Sequence, residues 1–162
     1  MKMIAVQERR GGIGRDGGLL LSLPSDMKYF RSTTMGKTVV MGRKTLESFP
    51  GGKPLPKRRN IVLSRTLDSG EGFEVCRSPE QLMEMLSEEE KKEAFVIGGG
   101  EVYKLLLPLT EEAYITEIEA ELEADTFIPV FRELKEWTCA RRSSAIEENG
   151  VTYTFAVYRR NL

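Results

Sequence analysis

The stretch Leu21-Ser22-Leu23-Pro24-Ser25-Asp26-Met27-Lys28-Tyr29-Phe30 sets one carboxylate, Asp26, among the apolar residues Leu21, Leu23, Met27 and Phe30. A carboxylate in such surroundings needs a cation or a hydrogen-bond donor to stay ionised. The chain contains no histidine, which excludes Ser-His-Asp and Cys-His nucleophilic catalysis and the common zinc ligand sets. Any acid or base is therefore a carboxylate, Lys, Tyr or water, and Asp26 is the leading candidate. The simpler alternative is an acid in a helix's first turn that complements the helix dipole, with Ser25 as the cap.

A second group of residues has the chemistry of an anion site. Gly98, Gly99 and Gly100 lie between the apolar run Phe95 to Ile97 and a helical pattern at Glu101 to Leu107. Glycine suits positions where the backbone needs positive φ or close approach, so the bare backbone and the helix start at Glu101 to Tyr103 form a candidate phosphate cradle. A tight strand-to-helix turn is the competing reading, and Glu101 stands where an anion would be repelled. After the run Thr38 to Met41 come Gly42, Arg43, Lys44 and Thr45; after Ile61 to Leu63 come Ser64, Arg65 and Thr66. Hydroxyls and cations repeated at equivalent strand ends supply the donors a phosphate requires. Gly36-Lys37-Thr38 has the tail of a phosphate-binding P-loop, but the glycine needed five positions earlier is Arg31, which excludes that motif.

The elements that must position these residues follow from the apolar pattern. Strand-length runs recur at Met3 to Val6, Thr38 to Met41, Ile61 to Leu63, Phe73 to Cys76, Phe95 to Ile97 and Tyr114 to Ile118. Helical patterns at Asp26 to Ser32, Arg43 to Phe49, Ser78 onward (with Leu82, Met83 and Leu86 on one face) and Glu101 to Leu107 separate several of them. Strands alternating with helices predict an α/β fold with a largely parallel sheet covered on both faces. Trp137 to Ser143 and Val151 to Tyr158, joined through Asn149-Gly150, predict an antiparallel C-terminal hairpin. The charged run Ser87 to Glu93 reads as a solvated helix end and loop. Ligands of such sheets bind beyond the carboxyl ends of the strands, where the clusters above fall.

Composition sets the outer bounds. With 162 residues, 40% hydrophobic and 30% charged, one domain spanning 1–162 is expected. Lys and Arg number 24 against 25 Asp and Glu, a net charge of −1, so no global field favours nucleic acid or an anionic membrane. The N-terminal segment is too short in apolar residues for a signal peptide, which makes the cytoplasm the expected location. Cys76 and Cys139 lack ligand spacing and read as buried free thiols, and no metal site is expected.

Six motifs then converge: IGRDGGLLLSLPSDMKYF (Ile13 to Phe30), VMGRKTLESF (Val40 to Phe49), KPLPKRRNIVLS (Lys53 to Ser64), VIGGGEVY (Val96 to Tyr103), YITEI (Tyr114 to Ile118) and ADTFIP (Ala124 to Pro129). Their order and spacing over essentially the whole chain resemble dihydrofolate reductase of the bacterial type. The resemblance implies a mixed, mostly parallel eight-stranded sheet flanked by four helices. It also implies reduction of 7,8-dihydrofolate to tetrahydrofolate with NADPH, by a monomer with no nucleic-acid or membrane partner. Asp26 would hydrogen-bond the pterin, with Thr116 supporting it. Ile4, Ala5, Val6, Met27, Phe30, Phe49, Leu55, Ile97 and Tyr103 would line the substrate cleft, and Arg58 would hold the α-carboxylate of the glutamate tail. On the cofactor side the resemblance implicates Ala5, Ile13, Gly14, Gly17, Leu19, Gly42, Arg43, Lys44, Thr45, Leu63, Ser64, Arg65, Gly98, Gly99, Gly100, Glu101, Val102 and Tyr103, with a cis peptide at Gly98-Gly99. Three positions depart from the family. Leu20-Leu21 stands where Pro-Trp is usual, so Leu21 fills space near the reaction centre without an N–H donor. Gly17-Gly18 loosens the preceding loop, and Lys57 occupies a position that is commonly small. A related riboflavin-pathway reductase or a non-catalytic pterin-binding homologue are the alternative readings.

Overall fold

A computed structural model describes all of residues 1–162. The apolar runs become the centre of one sheet because Val39, Val40, Met41, Ile61, Val62, Phe95 and Val96 are all buried, which a strand achieves only with both faces covered. These runs lie in β1 (Lys2–Gln7), β4 (Thr38–Gly42), β5 (Arg59–Leu63), β6 (Phe73–Cys76), β7 (Phe95–Gly98) and β8 (Glu112–Ile118). Together with β10 (Trp137–Arg142) and β12 (Val151–Arg160) they form the order β10-β12-β8-β1-β7-β4-β5-β6, and the short β11 (Ile146–Glu148) also pairs with β12. Pairs among β8, β1, β7, β4, β5 and β6 are parallel, whereas β12 runs antiparallel to β8 and β10. The expected C-terminal hairpin is present, its Asn149 (φ 52) and Gly150 (φ 79) in the left-handed region that an Asn-Gly turn adopts.

Two features go beyond the expectation. A second sheet, β3-β2-β9, joins β2 (Gly12–Arg15), β3 (Gly18–Leu19) and β9 (Thr126–Phe127). Five helices are present rather than four: α1 (Pro24–Thr34), α2 (Arg43–Ser48), α3 (Pro79–Met85), α4 (Glu88–Glu93) and α5 (Gly100–Leu106). The charged run read as a helix end and loop forms α4 because Leu86 is extended (φ −96, ψ 136) and Ser87 opens a new capping box with Glu90.

Two local expectations are corrected. Ser25 is not the cap of α1: Pro24 occupies the first helical position, Leu23 is the N-cap and makes no side-chain cap bond, and the Ser25 hydroxyl turns to Glu148 instead. Cys139 is exposed because β10 is the sheet's edge strand, while Cys76 is buried as expected; both thiols are free.

The apolar interior falls into a large cluster on one face of the sheet and two smaller ones. The large cluster includes Ala5, Ile13, Val102, Tyr103 and Phe131, with Phe131 packed edge-on against Trp137 at 5.0 Å between ring centroids. A second gathers Ile4, Val39, Met41, Leu46, Val62 and Phe95, and a third Leu23, Ile118 and Tyr153. Ile4 and Ala5, successive residues of β1, point to opposite faces as the two-residue period of a strand requires.

Candidate active site

The first turn of α1 carries Asp26 to the sheet, where the Thr116 hydroxyl from β8 donates to its Oδ1 at 2.6 Å. No cation pairs with it, and it is half-buried. Burial pushes its pKa above the ordinary carboxylate value; the Thr116 hydrogen bond opposes that rise and the nearby Glu148 carboxylate adds to it. Beside it the Tyr29 ring stacks on Phe155 with centroids 4.0 Å apart. The structure brings Asp26 and Thr116 together across 90 residues, as the resemblance implied for this pair.

An apolar wall extends from Asp26 along α1. Phe30, Phe49, Leu55 and Ile97 are partly buried against the cluster containing Ile4, so five of the predicted cleft residues come together. Val6 and Leu21 pack instead on the third cluster, with Leu23, Ile118 and Tyr153. Ala5 lies on the opposite face beside Ile13, Val102 and Tyr103, all four in the large cluster. Met27 is 55% exposed and joins none of these groups, and its sulfur accepts from the Ser22 hydroxyl at 3.3 Å. The Tyr103 hydroxyl donates to the Ile4 carbonyl at 2.6 Å, so it braces β1. Burial raises its pKa well above the usual phenol value.

At the far end of α1 the Arg58 guanidinium is fixed by three bonds. Its Nε donates to Thr34 Oγ1 at 3.0 Å, Nη1 to the Pro56 carbonyl at 3.0 Å and Nη2 to the Arg31 carbonyl at 3.4 Å. Burial, and then the neighbouring Arg31 charge, lower its pKa. Neither arginine has a carboxylate partner within salt-bridge distance. Sequence reading missed Arg31, whose five-residue spacing from Asp26 was its only signal. Thr34 follows Asp26 by eight residues, which at 1.5 Å per residue places the Arg58 anchor about 12 Å along the helix from the acid.

The other face holds the glycines. The Gly98-Gly99 peptide is cis, as the resemblance implied, and Gly98 has φ +145. A Cβ on Gly98 would approach Thr45 Oγ1 to 3.1 Å, one on Gly42 would meet Val102 at 3.0 Å, and one on Gly100 would come within 2.5 Å of Thr126. A side chain at Gly98, Gly42 or Gly100 would crowd Thr45, Val102 or Thr126, so glycine lets the backbone turn after β7 pack closely. On its flanks Lys44 and Arg65 are exposed. Arg43, however, is engaged by Glu47 one turn later, at 2.9 Å. Of the cations expected at these strand ends, Arg43 is thus held by a carboxylate four residues on in the same helix. Ser64 Oγ accepts from the backbone N–H of Thr66 and Leu67, at 3.3 and 3.1 Å, and so shapes the turn after β5. Arg77, not anticipated, braces that turn through the carbonyls of Ser64 (3.0 Å) and Leu67 (2.6 Å). Leu63 packs on the large cluster beneath it, while Glu101 remains exposed in the first turn of α5.

The segment between β1 and α1 forms the β2-β3 hairpin. Gly14 belongs to β2, and the hairpin turns at Asp16 and Gly17 with φ of 53 and 77. Asp125 accepts from the Asp16 backbone N–H at 2.8 Å and ties the hairpin to β9. Leu19, at its far end, is 70% exposed.

Comparison with known proteins gives the family. The dihydrofolate reductase family model matches residues 1–160. The dihydrofolate reductase of Mycobacterium leprae is 40% identical over 164 residues, covering 98% of this chain and 97% of that protein. That of Haemophilus influenzae is 46% identical over 117 residues, or 72% and 71% of the two chains. A solved structure of dihydrofolate reductase from Enterococcus faecalis, complexed with NADP(H), is 34% identical and superposes with a TM-score of 0.84 over 99% of this chain and 96% of that one. The family match over nearly the whole chain, and relatives of this identity that it covers almost end to end, show that the chain belongs to the dihydrofolate reductase family.

Proposed function

We propose that α1 serves as a ruler for dihydrofolate in an NADPH-dependent reduction to tetrahydrofolate. The observation that carries this reading is the placement of a carboxylate without a cation at one end of the helix and two arginines without an anion at the other. A pterin offers N–H donors to Asp26, and a glutamate tail offers carboxylates to Arg58 and Arg31. Phe30, Phe49 and Leu55 supply the apolar wall between them.

The residues at the ends of β4, β5 and β7 fit a pyridine dinucleotide phosphate. Gly98, Gly99 and Gly100 present backbone without side chains for a pyrophosphate to approach at the start of α5, and Arg43, Lys44, Ser64 and Arg65 supply donors for the additional phosphate. When bound there, NADPH supplies the hydride that arrives at pterin C6. The protein's own contribution is to the proton that N5 must gain. Asp26, pushed upward by burial, favours a protonated pterin-carboxylate pair, and water delivers the proton itself. Thr116 fixes one carboxylate oxygen and leaves the other for the ring. Leu21, packed on the cluster of Leu23, Ile118 and Tyr153, offers no side-chain N–H to a water.

The same reading has the chain acting as a cytoplasmic monomer on small molecules, since a net charge of −1 gives no general attraction to nucleic acid. The test is the rate of NADPH oxidation with and without dihydrofolate, repeated with NADH. Dependence on dihydrofolate and a preference of at least about tenfold for NADPH are expected. Equal kcat/KM for the two nucleotides contradicts the cofactor assignment.

A further inference from the structure

The first turn of α1 is held from outside the helix. Glu148, on β11 beside the Asn149-Gly150 turn, accepts the Ser25 backbone N–H at 3.0 Å through Oε1 and the Ser25 hydroxyl at 2.6 Å through Oε2. The Tyr153 hydroxyl donates to the same Oε1 at 3.0 Å. Three donors thus orient one carboxylate, which forms no ion pair, directly against the residue preceding Asp26. Asn149 adds a bond from the same turn to the Ser22 carbonyl at 3.3 Å.

The groups facing Asp26 come from every neighbouring element: Thr116 from β8, Glu148 from β11, Tyr153 from β12 and Tyr29 from α1 itself. None is cationic. Arg141 of β10 acts on Tyr29 rather than on Asp26.

We propose that Glu148 is a positioning residue for the reduction: it clamps the first turn of α1 through Ser25 and sets a fixed negative charge beside Asp26. The two carboxylates are driven apart in acidity. The Ser25 side chain, and then its backbone N–H, hold Glu148 below the ordinary carboxylate value, so it remains an anion. That anion adds to the burial that raises Asp26 and favours retention of a proton on the Asp26-pterin pair. Such divergence between neighbouring acids is how one site assigns different roles to identical groups. The inference rests on the reading of Asp26 as the acid that governs the reaction.

The test compares pH profiles of the hydride step for wild type, Glu148→Gln and Asp26→Asn, with NADPH and dihydrofolate saturating. Glutamine keeps an oxygen to accept from Ser25 but removes the charge. Its profile should move to lower pH, with a rate about two- to fivefold below wild type on the alkaline limb and an unchanged KM for NADPH. A merely structural clamp would leave the profile in place. If Asp26→Asn abolishes the wild-type profile and Glu148→Gln does not shift it, the role of Glu148 is overturned while that of Asp26 stands. If Asp26→Asn retains the wild-type profile, the reading of Asp26 fails and the inference fails with it. Carbon-13 titration of the Asp26 carboxyl in folded wild type and Glu148→Gln provides a readout independent of turnover. A lower midpoint in the variant supports the proposal, and an identical midpoint overturns it.

Discussion

Replacing Arg58 by lysine tests whether the far end of α1 reads a carboxylate tail. Arginine has five N–H donors, and Thr34, Pro56 and Arg31 engage three of them through Nε, Nη1 and Nη2. One N–H on each terminal nitrogen remains, which is the fork that meets a carboxylate bidentately. Lysine keeps the charge and loses both the Thr34 anchor and the second parallel bond. A charge-assisted hydrogen bond contributes about 1.5 to 3 kcal/mol, so KM for dihydrofolate should rise roughly 10- to 150-fold with little change in kcat. A pterin substrate lacking the glutamate tail should show a change of about twofold or less, because the interaction removed is one it never makes. The assay is steady-state NADPH oxidation with each substrate at saturating NADPH. Equal losses for both substrates would refute the ruler argument and make Arg58 a brace for the segment around Pro56.

Three further outcomes follow from the same geometry. Thr116→Val removes the donor at 2.6 Å from Asp26, and kcat/KM for dihydrofolate should fall about tenfold while Thr116→Ser largely restores it. Glu47→Gln releases Arg43 from an exposed pair at 2.9 Å, so calorimetry should find NADPH bound about two- to threefold more tightly, with the gain shrinking at high salt. Because burial raises Asp26 above its unfolded pKa, its ionisation costs stability, and that cost grows as pH rises from 3.8 through the folded value. Asp26→Asn should therefore be more stable than wild type at pH 7 by about 0.5 to 2 kcal/mol in urea unfolding, and the advantage should vanish in acid below the ordinary carboxylate range.

What the sequence revealed depended on locality. The runs at Phe73 to Cys76 and Tyr114 to Ile118 announced their strands because short runs rich in apolar and β-branched residues are themselves the signal, and the boundaries at β6 match the reading residue for residue. Asp26 stood out as a candidate because apolar residues flank it locally and the chain has no histidine to take its place. The β3-β2-β9 sheet was not, since Gly12 to Arg15, Gly18 and Leu19 have neither β-branched enrichment nor alternation: β3 exists through its pairing with β2, and β2 also pairs with Thr126 and Phe127, more than 100 residues later. Helix α4 was hidden because Ser87 to Glu93 has no apolar stripe; its capping box holds it, and Ser87 and Glu90 were available as that signal. Residue type exposes the cations at Arg43 and Arg65, but not that Glu47 occupies the first of them. The Ser25-Glu148 contact spans 123 residues and becomes apparent only when the C-terminal hairpin folds against α1.

The central claim is that Asp26 governs protonation of the substrate, and pre-steady-state hydride transfer by Asp26→Asn as a function of pH tests it most directly. Under saturating NADPH the variant should be about 10² to 10⁴-fold slower than wild type at pH 7, with NADPH affinity nearly intact and a rate that climbs as acid protonates the substrate without help. A variant as fast as wild type at pH 7 would contradict the account and leave Asp26 as a charge that complements the start of α1.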